Sequence, residues 1–174
     1  LLFAIMIGTV QAIISGLLLE SYMETIFRAP LLVAFVLVAG SGLFAYAEYA
    51  HVFKARPSEI TLRKGLLIGL FQILALVPGM SRSGATLSGG LILGLSRYEA
   101  ARFSFLLAVP IILGSGLKKL LELLALPGDA SLVPLAVGAA TAFIVGLLAI
   151  HFMLMFVRNH TLWPFIWYRI ALAC

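Results

Sequence analysis

The stretch LALVPGMSRSGATLSGG, residues 74–90, begins apolar and then changes to glycines, serines and one arginine. Arg82 is preceded by 17 uncharged residues and followed by 14. A charge at membrane depth costs at least about 2.5 kcal/mol, so an arginine at such a position indicates a functional partner. Our predictions of the fold and of the function both depend on this stretch.

The composition indicates an integral membrane protein. Of 174 residues, 63% are hydrophobic and 11% are charged, whereas a soluble domain carries about a quarter charged residues. The net charge of +5 fits lysines and arginines beside a membrane, and the chain offers little polar surface for a nucleic-acid partner. The single cysteine, Cys174, excludes an internal disulfide and a thiolate metal site.

The apolar stretches predict an all-α polytopic fold, because a span of the hydrocarbon core takes about 20 apolar residues. About five transmembrane helices are predicted, at residues 1–19, 30–48, 103–124, 132–157 and 161–174, the last cut short. Residues 65–95 form two apolar halves that are short for spans, with a polar tip between them. This pattern is typical of a re-entrant helical hairpin, whose irregular backbone is tolerated only inside protein or beside a wet cavity. Both ends lie in apolar runs, so we expect part of a longer protein.

The residue types around Arg82 predict an anion site. Glycines let the backbone turn tightly and approach a ligand, and the free N–H groups of a helix starting near Ser83 attract negative charge. The arginine side chain adds a planar fork that matches two phosphate oxygens. The glycines and hydroxyl residues of this candidate site are Gly79, Ser81, Ser83, Gly84 and Thr86.

A structural alternative remains open for Arg82. A buried arginine can bind carbonyl oxygens at a helix end, with the small residues serving helix packing. The glycines at 65 and 69 have the spacing of such close packing. The stretch is not a nucleotide P-loop, because that motif needs a lysine that is absent here. Glu48 is expected to be an interfacial residue whose side chain snorkels toward the membrane surface.

A longer stretch, QILALVPGMSRSGATLSGGLILGLSRYEAARFSFLLAVPIILG at residues 72–114, closely resembles a signature region of bacterial undecaprenyl-diphosphate phosphatases. The resemblance is carried by the P-G-x-S-R-S-G core at 78–84, the S-R pair at 96–97 and the F-S-F-L-L-A-V-P run at 103–110. It extends more loosely over the whole chain.

The resemblance implies an enzyme of the bacterial plasma membrane that hydrolyses undecaprenyl diphosphate to the monophosphate for cell-wall synthesis. It also implies six transmembrane helices and two hairpins in inverted repeats, an active site open to the periplasm, and a divalent cation, Mg²⁺ or Ca²⁺. Arg82 and Ser81 would be catalytic, and the remaining site residues would contact the diphosphate. The partners would be a polyprenyl diphosphate lipid and the membrane, with a homodimer left open.

The chain departs from the family pattern in one respect. The family's other hairpin, with an E-x-x-x-E pattern and a P-x-S-S-x-x-H stretch, is not found among these residues, and we expect it to precede them together with the first transmembrane helix. Glu20 and Glu24 have the right spacing but lack the histidine stretch, so we interpret them as interfacial residues of a loop. We therefore predict no metal ligands in this chain and half of an active site. A transporter or lipid translocase remains an alternative, because broken helices around a midplane anion site also occur there.

The positive charges predict the orientation. Seven lysines and arginines fall on one side of the predicted spans and three on the other, which places the first group in the cytoplasm. The seven are Lys54, Arg56, Arg63, Lys64, Arg97, Arg102 and Arg158, and the three are Arg28, Lys118 and Lys119.

We therefore expect residues 50–64 and 95–102 to face the cytoplasm and residues 20–28 the periplasm. In a Cys174→Ser background, Ser58→Cys should react with a membrane-impermeant maleimide only after cells are permeabilised, and Glu24→Cys should react in intact cells. Labelling of Ser58→Cys in intact cells would reverse the orientation.

Overall fold

A computed structural model describes residues 1–25, 29–54, 59–125 and 132–174 of the chain. The described elements are all α-helices, three of them long and apolar enough to cross a membrane, which confirms the predicted all-α membrane fold. The helices are α1 (Leu2–Thr25), α2 (Pro30–Lys54), α3 (Leu62–Leu74), α4 (Arg82–Ile92), α5 (Arg97–Ala125), α6 (Leu132–Asn159) and α7 (Trp163–Ala173).

The first helix is longer than the sequence predicted. Its backbone stays helical to Thr25, so Glu20 and Glu24 lie in the last turns of α1 and not in a loop. The side chains of both glutamates, and the whole of Arg28, lie outside the described part of the chain.

Helix α4 is the centre of the fold. It packs against α2, α3 and α5, and every residue from Gly84 to Leu91 is buried. By contrast α6 packs closely only against α5 among the described helices and exposes apolar side chains along most of its length. The buried residues of α4 are mostly glycine, alanine, serine and threonine, the small residues that favour close helix packing when lipid is the solvent.

The pairing of α1 with α3 depends on glycines that allow their backbones to touch. A Cβ atom on Gly65 would lie 2.5 Å from Ala4 Cβ and 2.7 Å from Ala4 Cα. A Cβ atom on Gly69 would lie 2.6 Å from Gly8 Cα. The close packing predicted from the spacing of these glycines is confirmed.

An ion pair joins the end of α2 to the beginning of α5. Arg97 Nε donates to Glu48 Oε1 at 2.9 Å, and Glu48 is only 3% exposed. The Glu48 carboxylate is therefore buried against its cation, so the prediction that this side chain snorkels toward the membrane surface is wrong. Next to this pair, Ser96 and Glu99 form a capping box: Glu99 N donates to Ser96 Oγ at 3.2 Å, and Ser96 N donates to Glu99 Oε2 at 3.2 Å.

The glycine contact yields a stability prediction. Gly65→Ala should destabilise the protein by about 1–3 kcal/mol, because the added methyl group meets the backbone of α1, which cannot move aside. Gly146→Ala is the matched control, since nothing lies within 4 Å of its added Cβ atom. The control should keep or raise stability, because alanine favours a helix by up to about 1 kcal/mol over glycine. Thermal unfolding in detergent measures both, and equal midpoints would contradict the packing.

Candidate functional site

The turn between α3 and α4 has a strained backbone. Gly79 takes φ +94° and Ser81 takes φ +69°, the only positive φ at a non-glycine residue in the described part of the chain. A Cβ atom on Gly79 would lie 2.7 Å from the carbonyl oxygen of Val33, so glycine is required by both conformation and space. Such strain persists only where surrounding contacts enforce it, and it is common at functional sites.

Ser81 forms the N-cap of α4, and its Oγ accepts a hydrogen bond from Gly84 N at 3.3 Å. The hydroxyls of Ser81 and Ser83 lie 3.5 Å apart. The N–H groups of Arg82 and Ser83 have no acceptor among the described residues, as is usual in the first turn of a helix. The positive end of the α4 dipole is therefore available to an anion.

A cavity of about 600 Å³ opens at this helix end, between α2, α4, α5, α6 and α7. Its polar part contains Ser81, Ser83, Ser104, Tyr168 and Arg169. Its apolar walls include Leu37, Phe44, Phe105, Ala149, Ile150, Met153, Leu162, Phe165 and Leu172. The cavity thus joins hydroxyl groups and a cation to a long apolar surface.

Four of the predicted site residues, Gly79, Ser81, Ser83 and Gly84, line this cavity together. Arg82 is the first residue of α4 and half-buried beside the cavity, but it is not part of the lining. Its guanidinium forms no hydrogen bond or ion pair with the described residues. The structural alternative, in which Arg82 binds carbonyl oxygens at a helix end, is therefore not what the structure shows.

A different arginine binds those carbonyl oxygens. Arg169 of α7 is 7% exposed and donates from Nη1 to Met80 O at 3.1 Å and from Nη2 to Gly79 O at 2.8 Å. Nη2 also lies 3.4 Å from Leu37 O, and the guanidinium carbon lies over the ring of Phe44, 5.3 Å from its centroid. Our sequence reasoning missed Arg169. The available signal was a second arginine inside an apolar run, at residues 161–174.

Thr86 lies behind the cavity wall. It is 1% exposed, and its hydroxyl donates to Arg82 O at 3.0 Å and shares a hydrogen bond of 2.5 Å with the Ser104 hydroxyl. Ser104 Oγ also lies 3.2 Å from Ser83 O. These bonds tie the first turn of α4 to α5, so Thr86 positions the site and does not face the cavity. Ser104, which does face it, was also missed by the sequence reasoning.

The donor set does not fit a divalent cation. The cavity lining contains hydroxyls and a guanidinium but no carboxylate or imidazole. No group of three or more histidine, cysteine, aspartate or glutamate side chains comes together within residues 1–25, 29–54, 59–125 and 132–174. Mg²⁺ and Ca²⁺ need oxygen ligands, usually carboxylates, so we derive no chemical step through a metal from these residues.

Comparison with known proteins places this chain among bacterial membrane proteins. A family model described as bacitracin resistance protein BacA matches residues 1–174. The undecaprenyl-diphosphatase of Trichlorobacter lovleyi is 46% identical over 172 residues, covering 96% of this chain and 62% of that protein. The undecaprenyl-diphosphatase of Geotalea daltonii is 43% identical over 176 residues, covering 99% of this chain and 64% of that protein. The chain thus spans less than two thirds of the length of these curated relatives.

Proposed function

The chain belongs to the bacitracin resistance protein BacA family, and we propose that it forms part of a multi-pass membrane phosphatase acting on a polyprenyl diphosphate. The substrate named in its relatives is undecaprenyl diphosphate. The products would be the prenyl monophosphate and inorganic phosphate, which returns the lipid carrier for cell-wall synthesis.

The single observation that carries this proposal is the cavity at the N-terminus of α4. Its polar end presents hydroxyls and a helix dipole, and its walls are apolar over several helices. An anionic head joined to a long hydrocarbon tail is the ligand that matches both parts. A soluble phosphate ester would leave the apolar walls without a partner.

The residues of the polar end have distinct roles in binding the diphosphate. The N–H groups at the start of α4 and the hydroxyls of Ser81 and Ser83 would donate to phosphate oxygens. Arg82 would supply the guanidinium fork, and it has no bond to a described residue that it must first give up. Gly79 and Gly84 would keep the backbone close to the ligand, while Thr86 acts from behind through Ser104.

The reaction is the transfer of a terminal phosphoryl group to water. The oxygen of water forms a bond to the terminal phosphorus while the bridging P–O bond breaks, and the electron pair of that bond stays on the prenyl phosphate. In phosphoryl transfer the protein contributes mainly positioning and charge stabilisation. Arg82 and the helix N-terminus would stabilise the negative charge that grows on the phosphate oxygens.

The group that takes a proton from the attacking water is not in the described cavity lining, which contains no carboxylate or imidazole. We propose that this base, together with the ligands of a divalent cation, comes from a part of the full-length protein outside these 174 residues. The relatives named above are longer and are named as phosphatases, and nothing here favours the transporter alternative.

The family and the charge distribution support a proposal for the location. We propose a bacterial plasma membrane protein whose cavity is reached from the periplasm, with the hairpin entering from the cytoplasmic side. The homodimer and the lack of nucleic-acid binding stay predictions.

The proposal is tested by measuring phosphate release from undecaprenyl diphosphate in detergent, with and without Mg²⁺ or Ca²⁺. The full-length protein should turn over, and the 174-residue chain should stay near background because its cavity lacks a base. An inactive full-length protein would overturn the phosphatase assignment. Robust metal-stimulated turnover by the 174-residue chain would show that the base lies within it and would return Glu20 and Glu24 to consideration.

Arg82→Lys in the full-length protein should lower kcat/KM by about 10- to 100-fold. A lysine keeps the charge but cannot span two phosphate oxygens, and a charged hydrogen bond contributes roughly 1.5–3 kcal/mol, with about 1.4 kcal/mol per factor of ten. Arg82→Ala should lose more. Arg102→Lys, at an exposed position on α5, is the matched control. Normal activity per folded molecule in Arg82→Ala would exclude Arg82 from the site.

A further inference from the structure

We propose that Arg169 is a positioning residue, which holds the hairpin turn in its strained conformation and does not itself bind the diphosphate. The inference rests on the proposed function where it concerns catalysis. The contacts of the guanidinium with the turn carry it independently of the reaction.

The guanidinium of Arg169 donates its hydrogen bonds to backbone carbonyl oxygens. Nη2 donates to Gly79 O at 2.8 Å and lies 3.4 Å from Leu37 O, so both of its N–H bonds have an acceptor. Nη1 donates to Met80 O at 3.1 Å, and Nε is buried without a partner. Most of the fork is therefore committed to backbone carbonyl oxygens, and little of it remains for phosphate.

These carbonyl oxygens belong to two parts of the fold, the turn between α3 and α4 and helix α2. Gly79 and Met80 form the turn itself, directly before Ser81 with its φ of +69°. Leu37 belongs to α2. The guanidinium therefore bridges the turn and a neighbouring helix, and it holds Ser81 where its hydroxyl caps α4 and faces the cavity.

A glycine of α2 leaves the space that the guanidinium occupies. A Cβ atom on Gly40 would collide with Arg169 Nη2. Two residues further along α2, a Cβ atom on Gly42 would have nothing within 4 Å. Helix α2 thus has a gap in its side-chain surface at the position of the guanidinium. This offers a way to disturb the contact without removing the arginine.

The two arginines consequently divide the work at this site. Arg169 is buried and bonded to carbonyl oxygens, whereas Arg82 is half-buried and unbonded to the described residues. A side chain that is already hydrogen-bonded to the protein before the substrate binds, such as Arg169, affects the reaction through the geometry of the reacting atoms. Loss of geometry lowers kcat, while loss of a direct ground-state contact raises KM.

The experiment uses the full-length protein in detergent, with Arg169→Gln, Arg169→Lys and Gly40→Ala as test variants and Gly42→Ala and Arg82→Gln as controls. Amide hydrogen exchange of residues 75–84, followed by mass spectrometry, reports on the turn without requiring activity. We expect exchange of this segment to be faster by about tenfold or more in the test variants and unchanged in both controls. We expect kcat to fall by about 10- to 100-fold in Arg169→Gln and Gly40→Ala with little change in KM.

Arg169→Lys should be intermediate, because one ammonium group cannot reach carbonyl oxygens on both the turn and α2. If Arg169→Gln does not fold, Gly40→Ala keeps the arginine and still gives the result. A raised KM with unchanged exchange of the turn would show that Arg169 binds the substrate directly, and would overturn the inference. If the wild-type protein has no phosphatase activity, the exchange measurements still decide the role of Arg169 while the proposed function fails alone.

Discussion

Backbone carbonyl oxygens away from water need a donor from the protein, and in lipid each one left unpaired costs several kcal/mol. The turn between α3 and α4 presents carbonyl oxygens at Gly79 and Met80 that no helix can satisfy, and Arg169 supplies the donors from the other end of the chain. This contact fixes α7 against α2 and the turn. The position of the α4 N-terminus, and with it the polar end of the cavity, follows from that arrangement.

A buried arginine is stable only with partners, and this protein contains both possible solutions side by side. Arg169 is satisfied internally, so its charge is already spread over carbonyl oxygens and an aromatic face. Arg82 has no such partner among the described residues, and an anion would relieve the cost of its partial burial. In the roles that we propose, the first arginine acts before the ligand binds, and the second acts on the ligand.

The sequence was sufficient for features that depend on local pattern. The two short helices α3 and α4 were predictable from short apolar halves around a polar tip, and the α1–α3 contact from glycine spacing. It was not sufficient for features that depend on partners far apart in the chain. Arg169 bonds to residues 89 and 90 positions away, and Glu48 pairs with a residue 49 positions away. Thr86 was predicted to contact the ligand because the sequence shows that a hydroxyl is present but not which way it points. Its partner, Ser104, lies 18 positions away.

The composition of the cavity separates binding from bond cleavage. Hydroxyls, a helix N-terminus and a nearby guanidinium all favour negative charge, so under the proposed function they would hold a diphosphate and stabilise the departing prenyl phosphate. None of them accepts a proton readily at neutral pH. A carboxylate placed in the same positive environment would tend to pair with the arginine and lose its basicity. A base that belongs to another element, brought in across the substrate, avoids that competition. The positive end of the cavity therefore fits the proposal that this chain contributes one half of a two-sided active site.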